Sequence, residues 1–462
     1  MADTMSSGDY WAEFPLTYRA EQIAVIMRWV RAGESGVVVG GSGSGKSNLL
    51  GFLSSRPEAV RPYLADAPTQ YYFLRLDINS LPALTTPYFY RGLIQTLAEA
   101  AAELGENIQQ PMEQMLQGRV DWADTFQALT ILRKAHRLVI QPAGKKVIWL
   151  LDRFDEACRR LDVQTLSSLR SLRDQFKGQL CYVVAARHPL ARLRDPHEID
   201  EFYELVAANL CWVGPMVERD ARWVADQMAA RLRVTFDEVE VSQLLAVTGG
   251  LPAFIKLACL ALAEGAVSKA ESTPTWAEKL LARSEFQRNC QEIWNDLSAG
   301  EQAALTALSA GADERLLDPD AIIYLEQTGL LARSAQGKKA SLFSPILARF
   351  IGQQRERRPG MLELHPKTRA VLRGGLPLGV ELTAHEDRLL SFFLEHPGEI
   401  CDKDVLIQAV WPGEVVFEGI SDDRLTQLVR RLREKIELDA TGPTYIQTVR
   451  GRGYRFAQPG EK

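Results

Sequence analysis

Between the apolar run Val37 to Val39 and the apolar stretch "NLLGFL" the chain reads "GGSGSGKSN", Gly40 to Asn48. The spacing Gly40-x4-Gly45-Lys46-Ser47 is that of a phosphate-binding loop set between a strand and a helix. Glycines let successive backbone N–H groups turn toward phosphate oxygens, and the following helix adds the positive end of its dipole. Lys46 supplies a mobile charge for the β- and γ-phosphates, and the Ser47 hydroxyl suits Mg²⁺. Gly40, Gly43, Gly45, Lys46, Ser47 and Asn48 are therefore the expected nucleotide contacts, with ATP or ADP and Mg²⁺ as ligands.

A loop of this kind needs a carboxylate on a neighbouring strand tip. "VIWLLDRFDEA" supplies an apolar strand ending in Asp152, the expected Mg²⁺-side group. Asp155 or Glu156 follows as the group that polarises the attacking water; an acidic helix start favoured by the dipole is the plain alternative. In "CYVVAARHP" Arg187 follows a buried strand, where it either senses the γ-phosphate or is an exposed loop arginine. "TGGLPAFIKLA" sets Pro252 near the first turn of an apolar helix.

Strand-like runs "GVVVG", "YYFLRLDI", "KVIWLLD", "QLCYVVAA" and "NLCWVGPM" alternate with helical patterns, which predicts an α/β layer with a mainly parallel sheet. The expected organisation is a P-loop NTPase core over residues 1–216, a helical lid over 217–284 and a small winged-helix domain over 285–354. "GQQRERRPG", Gly352 to Gly360, has no apolar periodicity and ends in Pro-Gly, so it is read as a linker, with a charged helix end as the alternative. A last domain occupies 361–458.

Arg19 in "YRAEQ", the P-loop, "LLDRFDEA", "AARHP" and "GGLP" occur in the order seen in the signal-transduction ATPases with numerous domains, the STAND class with its NACHT-like forms. The resemblance covers about Tyr18 to Gln354. It implies that Pro252 contacts the nucleotide and that the module is a switch, closed with ADP, opened or oligomerised with ATP, and reset by slow hydrolysis. Related AAA+ machines carry an arginine on the lid where this chain has "GGLPAF", so STAND is the better match. The family's "GRE" stands here as "YRAE", which leaves the adenine-edge contact unassigned to Arg19. "SLFSPILARF" offers no histidine for the β-phosphate.

At the other end, "LTAHEDRLLSFFLEHPGEI" opens on Thr383 and Glu386, the spacing of a capping box. In "DDRLTQLVRRLREKI" Leu425, Leu428, Val429, Leu432 and Ile436 share one face, and Gln427, Arg430, Arg431 and Lys435 lie opposite. The charged face alone fits a solvated helix. The following "PTYIQTVRGRGYRF" is strand, glycine turn, strand, with Arg450 and Arg452 at the tip. Helix in the major groove and arginine-tipped wing on the minor groove or phosphate is a recurrent DNA-docking arrangement.

Leu362 to Phe456 closely resembles the winged-helix effector domain of OmpR/PhoB-type response regulators. That resemblance makes about Asp422 to Glu437 the recognition helix, with Gln427, Arg430, Arg431 and Arg433 facing bases or phosphates. It sets Thr448 on the backbone and Arg450 in the wing, and Tyr454 and Phe456 pack the wing on the core. The usual partner of such a module is a phosphorylatable receiver; here the nucleotide module stands in its place.

A net charge of −5 argues against indiscriminate nucleic-acid binding, so DNA contact must be local. Between Arg424 and Phe456 the sign does reverse: Arg424, Arg430, Arg431, Arg433, Lys435, Arg450, Arg452 and Arg455 outnumber Glu434, Glu437 and Asp439. Six scattered cysteines without CxxC spacing read as reduced core thiols. No apolar segment is long enough to span a membrane, and a cytoplasmic protein is expected. The expected function is an ATP-dependent, sequence-specific transcriptional regulator that binds double-stranded DNA and forms a nucleotide-dependent homo-oligomer. An ATP-driven DNA remodeller or loader, and a DNA-sensing defence switch, are the alternatives.

Overall fold

The computed structural model describes residues 7–64, 70–117, 121–142, 144–333, 340–357, 360–365, 368–374, 376–412, 420–437 and 442–458. The chain divides into two compact units. One is Met1–Ser268 with Gln327–Gly329, and the other Lys269–Glu326 with Leu330–Lys462.

In the first unit the five expected apolar runs become β1 (Gly36–Val39), β2 (Tyr71–Asp77), β3 (Lys146–Asp152), β4 (Leu180–Ala186) and β5 (Leu210–Trp212). They form one sheet in the order β2-β3-β4-β1-β5, every pair parallel. β1 and β4 are buried along their whole length and β3 beyond its first residue, as expected of strands covered on both faces. Because all run the same way, Val39, Asp77, Asp152, Ala186 and Trp212 end on one edge of the sheet. The connection from β1 runs toward β2 and that from its neighbour β4 runs toward β5, in opposite directions across the sheet, so the switch point at which open parallel sheets bind ligands lies between β1 and β4. This is an α/β P-loop NTPase fold.

Helices Thr86–Ala101 and Thr125–Ile140 cover one face with Phe89, Leu93, Leu97, Leu132 and Val139, against Trp149 and Tyr182 from the strands. His136 is fully buried there. Its Nδ1 donates to the Leu132 carbonyl (2.8 Å) and its Nε2 accepts from Trp149 Nε1–H (2.9 Å), so both ring nitrogens are satisfied only in the neutral form. Burial pulls its pKa from 6.5 down to about 4.

The lid consists of helices Glu218–Leu232, Glu238–Thr248 and Pro252–Ala263. A fourth helix, Thr273–Leu281, falls in the second unit and packs on helix Pro345–Arg357; the division between compact units thus lies at Ser268, before the end of the lid read from sequence. Helices Ser284–Asn295, Ala299–Ser309 and Pro319–Gln327 precede a two-stranded hairpin of β6 (Leu331–Arg333) and β7 (Ala340–Leu342), the small winged helix expected. Its wing tip lies outside the described residues. The charged stretch from Gly352 continues helix Pro345–Arg357 as far as Arg357, so the helical reading of that segment holds over those residues. Pro359 lies outside the described residues.

Beyond it β8 (Leu362–Leu364), β9 (Val371–Arg373) and β10 (Leu376–Pro377) make an antiparallel sheet. Helices Ala384–Glu395, Lys403–Val410 and Ile420–Ile436 follow, and then β11 (Ile400–Cys401), β12 (Ile446–Val449) and β13 (Gly453–Phe456) form a second sheet in the order β11-β13-β12. The loop before the last helix falls largely outside the described residues. All six cysteines are buried and free, and burial pushes the Cys181, Cys211, Cys259 and Cys290 thiols up to about 12. Among the described residues no helix is long and apolar enough to cross a membrane.

Candidate functional site

The loop leaving β1 turns on Gly43 (φ 75°) and Gly45 (φ 93°), both in the left-handed region, where a side chain would be strained. Gly40 needs its missing side chain for another reason: a Cβ there would stand 2.1 Å from the Val213 carbonyl oxygen. Helix Lys46–Ser55 begins directly after the turn. Lys46 Nζ curls over the loop, donating to the carbonyls of Gly40 and Gly41, the latter at 3.2 Å. Ser47 Oγ donates to Asp152 Oδ1 at 3.1 Å, so the hydroxyl and the strand-tip carboxylate expected to hold Mg²⁺ are brought together. The sequence position of Asn48 falls in the first turn of that helix.

The other Asp152 oxygen, Oδ2, accepts from Arg75 Nη2 at 2.6 Å, with Asp152 only 1% exposed. Sequence reasoning missed Arg75. Its one signal was a charge inside the aromatic and aliphatic run of β2, and only the β2–β3 pairing shows whom it meets.

The lid closes on the loop through the segment singled out as "GGLP". Gly249 (φ 61°) and Gly250 (φ 81°) turn the chain, Pro252 opens the next helix, and Ala253 N–H donates to the Gly43 carbonyl at 3.3 Å. A Cβ on Gly45 would lie 3.5 Å from the Pro252 ring, so proline and phosphate loop are neighbours.

Arg19 sits behind the loop. Its guanidinium donates to the carbonyls of Ser44 (2.7 Å), Gly214 (2.9 Å) and Pro215 (3.3 Å), and its main-chain N–H to Asp220 Oδ2 (2.8 Å). Burial lowers its pKa and pushes the adjacent Tyr18 phenol up to about 12. Arg19 thus ties the loop and the β5 exit together through main-chain carbonyls, and its own N–H holds the Asp220 carboxylate of the first lid helix. The buried Ser44 Oγ has no hydrogen-bond partner among the described residues, a polar remainder that suits a site for a polar ligand.

Asp155 and Arg187 are brought together, though through the backbone: Arg187 N–H donates to Asp155 Oδ1 at 2.8 Å. Beside it the Phe154 N–H bonds the Ala185 carbonyl (2.8 Å), tying the turn after β3 to the end of β4. Glu156 is half exposed and pairs with Arg159 at 2.9 Å on the next turn of its helix.

In the C-terminal domain the basic helix buries Leu425, Leu428, Val429, Leu432 and Ile436 and exposes Gln427, Arg430 and Arg431. Arg430 also bonds Glu434 at 3.1 Å. Arg433 turns to the wing: it donates to the Ile446 carbonyl (2.7 and 3.0 Å) and to Thr448 Oγ1 (2.8 Å). Glu437 receives the N–H groups of Thr444, Tyr445 and Ile446 at 2.7 to 3.1 Å, a second clamp that the sequence did not reveal. Arg450 and Arg452 are exposed on the tight turn of β12 and β13. Gly453 makes that turn possible, since it has φ 129° and a Cβ there would stand 2.1 Å from the Cys401 carbonyl oxygen. Phe456 stacks on Phe393 with ring centroids 5.8 Å apart.

The expected capping box is present: Glu386 N–H donates to Thr383 Oγ1 (3.4 Å) and Thr383 N–H to Glu386 Oε2 (2.8 Å). Lys435 bonds the same buried carboxylate at 2.6 Å. Burial works against the Glu386 anion, yet the Lys435 ammonium and the Thr383 donors outweigh it and hold the carboxyl below its ordinary value.

Residues 378–456 match the family model described as transcriptional regulatory protein, C terminal. Over 70 residues the chain is 43% identical to the transcriptional regulatory protein YvrH of Bacillus subtilis, covering 15% of this chain and 28% of that one. The chain spans 28%, 57% and 55% of the length of three curated relatives it matches. The DNA-binding domain of Klebsiella pneumoniae RstA, solved in complex with the RstA box, is 35% identical over 21% of this chain and 92% of that one, with a TM-score of 0.19. A Walker-type ATPase of Pyrococcus abyssi is 14% identical over 72% of this chain and 95% of that one, with a TM-score of 0.45. The last domain of this chain is a winged-helix DNA-binding domain of the OmpR/PhoB type.

Proposed function

We propose that this chain is a transcriptional regulator in which a STAND-like nucleotide switch governs a sequence-reading winged helix. The observation that carries the reading is the presence in one chain of a lid-closed phosphate loop and a winged helix with its basic face exposed. The Ala253 to Gly43 hydrogen bond and the Pro252 contact with Gly45 make the lid's position sensitive to what occupies the loop. Gly40, Gly43, Gly45, Lys46, Ser47 and Asn48 would hold the phosphates, Ser47 and Asp152 the Mg²⁺, and Pro252 would bound the nucleotide. Mg²⁺, when bound, neutralises phosphate charge. Asp155 and Glu156 remain the candidate water-orienting groups, and Arg187 the candidate γ-phosphate sensor.

On the DNA side Gln427, Arg430 and Arg431 would face bases or phosphates, with Arg450 and Arg452 on the neighbouring groove. Thr448 would contact the backbone, and Arg433, bonded to Thr448 and Ile446, would set the wing's angle to the helix. ATP-driven assembly of two or more chains would multiply weak half-site affinities through effective concentration, and slow hydrolysis would restore the ADP form.

The test is footprinting and affinity measurement on DNA upstream of the chain's own and neighbouring genes, with ADP, ATP and a non-hydrolysable analogue. Wild type is expected to bind about 5- to 150-fold more tightly in one nucleotide state than in another, and Lys46→Ala to lose the difference. Equal affinities in every state would reject the switch while leaving the DNA-binding domain intact.

A further inference from the structure

Two carboxylates stand at neighbouring tips of the parallel sheet. Asp77 and Asp152 are register partners in the pair β2–β3, so their side chains leave the same face of strands about 4.8 Å apart. Arg75, two residues before Asp77 on β2, shares that face. Arg153 follows Asp152 directly, with its backbone in the left-handed region (φ 58°). Each carboxylate has its arginine: Arg75 Nη2 donates to Asp152 Oδ2 at 2.6 Å, and Arg153 Nη1 lies 3.7 Å from Asp77 Oδ2.

The two pairs differ in their surroundings. Asp152 is buried, and a buried carboxylate needs a counter-charge; its other oxygen meets only the neutral Ser47 hydroxyl, at 3.1 Å. Asp77 and Arg153 are 27% and 50% exposed, so water meets much of their need. The Arg75 guanidinium is thus the charge that compensates Asp152 in the fold as it stands. Arg75 itself is held loosely. Among the described residues its guanidinium makes the one hydrogen bond to Asp152, and its buried Nε has no partner. Its side chain borders a cleft of about 800 Å³ that Asp77 also lines, so space and a second carboxylate lie beside it.

We propose that Arg75 is a positioning residue that stands in for Mg²⁺ at Asp152, and that it must give up Oδ2, with Asp77 as its other seat, before Asp152 serves a metal. The inference rests on the assignment of Ser47 and Asp152 to Mg²⁺, which their chemistry fits, since a hydroxyl and a carboxylate are the hard oxygen ligands this ion takes beside waters and phosphates. A guanidinium 2.6 Å from one oxygen opposes any second cation on the same carboxylate. Removing that guanidinium therefore makes Asp152 a stronger metal ligand, whereas loss of a mere prop for the carboxylate would make it a weaker one.

The experiment is calorimetric titration of the full chain with ADP in excess Mg²⁺ and again in EDTA, because the ratio of the two affinities isolates what the metal adds. Arg75→Gln is expected to raise that ratio about tenfold or more. Arg75→Lys, which keeps a cation near Asp152, should bring it back toward the wild-type value. A ratio unchanged or lowered in Arg75→Gln overturns the inference. A second measurement needs no variant: in crystals of the wild-type chain with Mg²⁺·ADP the Arg75 to Asp152 bond should be broken, and its persistence beside the bound metal overturns the inference even where Arg75→Gln does not fold. A wild-type chain that binds ADP in neither buffer refutes the nucleotide reading and this inference with it, whereas binding in both buffers with an unmoved ratio sinks the role of Arg75 alone.

Discussion

The neutral imidazole of His136 illustrates how a single buried group makes stability depend on pH. Its folded-state value of about 4 lies below the ordinary 6.5, so between these limits the unfolded chain holds the extra proton. The stabilisation is fully present above the ordinary value and falls as the pH drops toward about 4. His136→Leu leaves the Trp149 N–H buried without an acceptor and is expected to cost about 1–3 kcal/mol near neutral pH. The same variant should flatten the loss of stability across that acid window, as read from urea unfolding near neutral pH and again near pH ~5. An unchanged slope would mean that His136 does not titrate as its surroundings require.

At the scale of elements, the basic helix Ile420–Ile436 and the wing are one device. Exposed Arg431 has no hydrogen-bond or ion-pair partner among the described residues, whereas Arg433 holds Ile446 and Thr448. Arg431→Ala is expected to weaken DNA binding and to reduce the salt slope of binding by about 0.9 if it neutralises one phosphate, with no effect on melting temperature. Arg433→Ala should act on the fold as well, lowering stability by about 1–3 kcal/mol as the Ile446 carbonyl and Thr448 lose their donor. Binding isotherms over a salt series, paired with thermal melts, separate the two; identical behaviour of both variants would contradict the division of labour. Glu437, which gathers three wing N–H groups, and Glu386, which joins the capping box to Lys435, anchor the same device from its other end.

For the whole molecule, a ligand that binds only the native first unit must stabilise it, by about 2.7 kcal/mol at a hundredfold excess over its dissociation constant. Differential scanning calorimetry with Mg²⁺·ADP should therefore raise the transition of the first unit. In a switch, the transition of the second unit moves with it, and Lys46→Ala abolishes both shifts. A shift confined to the first unit is the outcome expected of two halves that ignore each other's ligands.

The sequence alone carried the two motifs, the phosphate-loop spacing and the basic helix with its wing, and the order of the elements around them. A phosphate loop demands glycines, lysine and a hydroxyl at set spacing, and five apolar runs of strand length were visible where β1 to β5 stand. The capping box at Thr383 and the amphipathic basic helix were legible for the same reason, since each is a local pattern with a fixed period. What only the tertiary structure decided are meetings between residues far apart in the chain: Arg75 with Asp152, Arg19 with Ser44 and Gly214, Glu437 with the wing, His136 with Trp149. No periodicity encodes such partners, because burial makes a charge or a donor seek whichever group the folded backbone brings within reach.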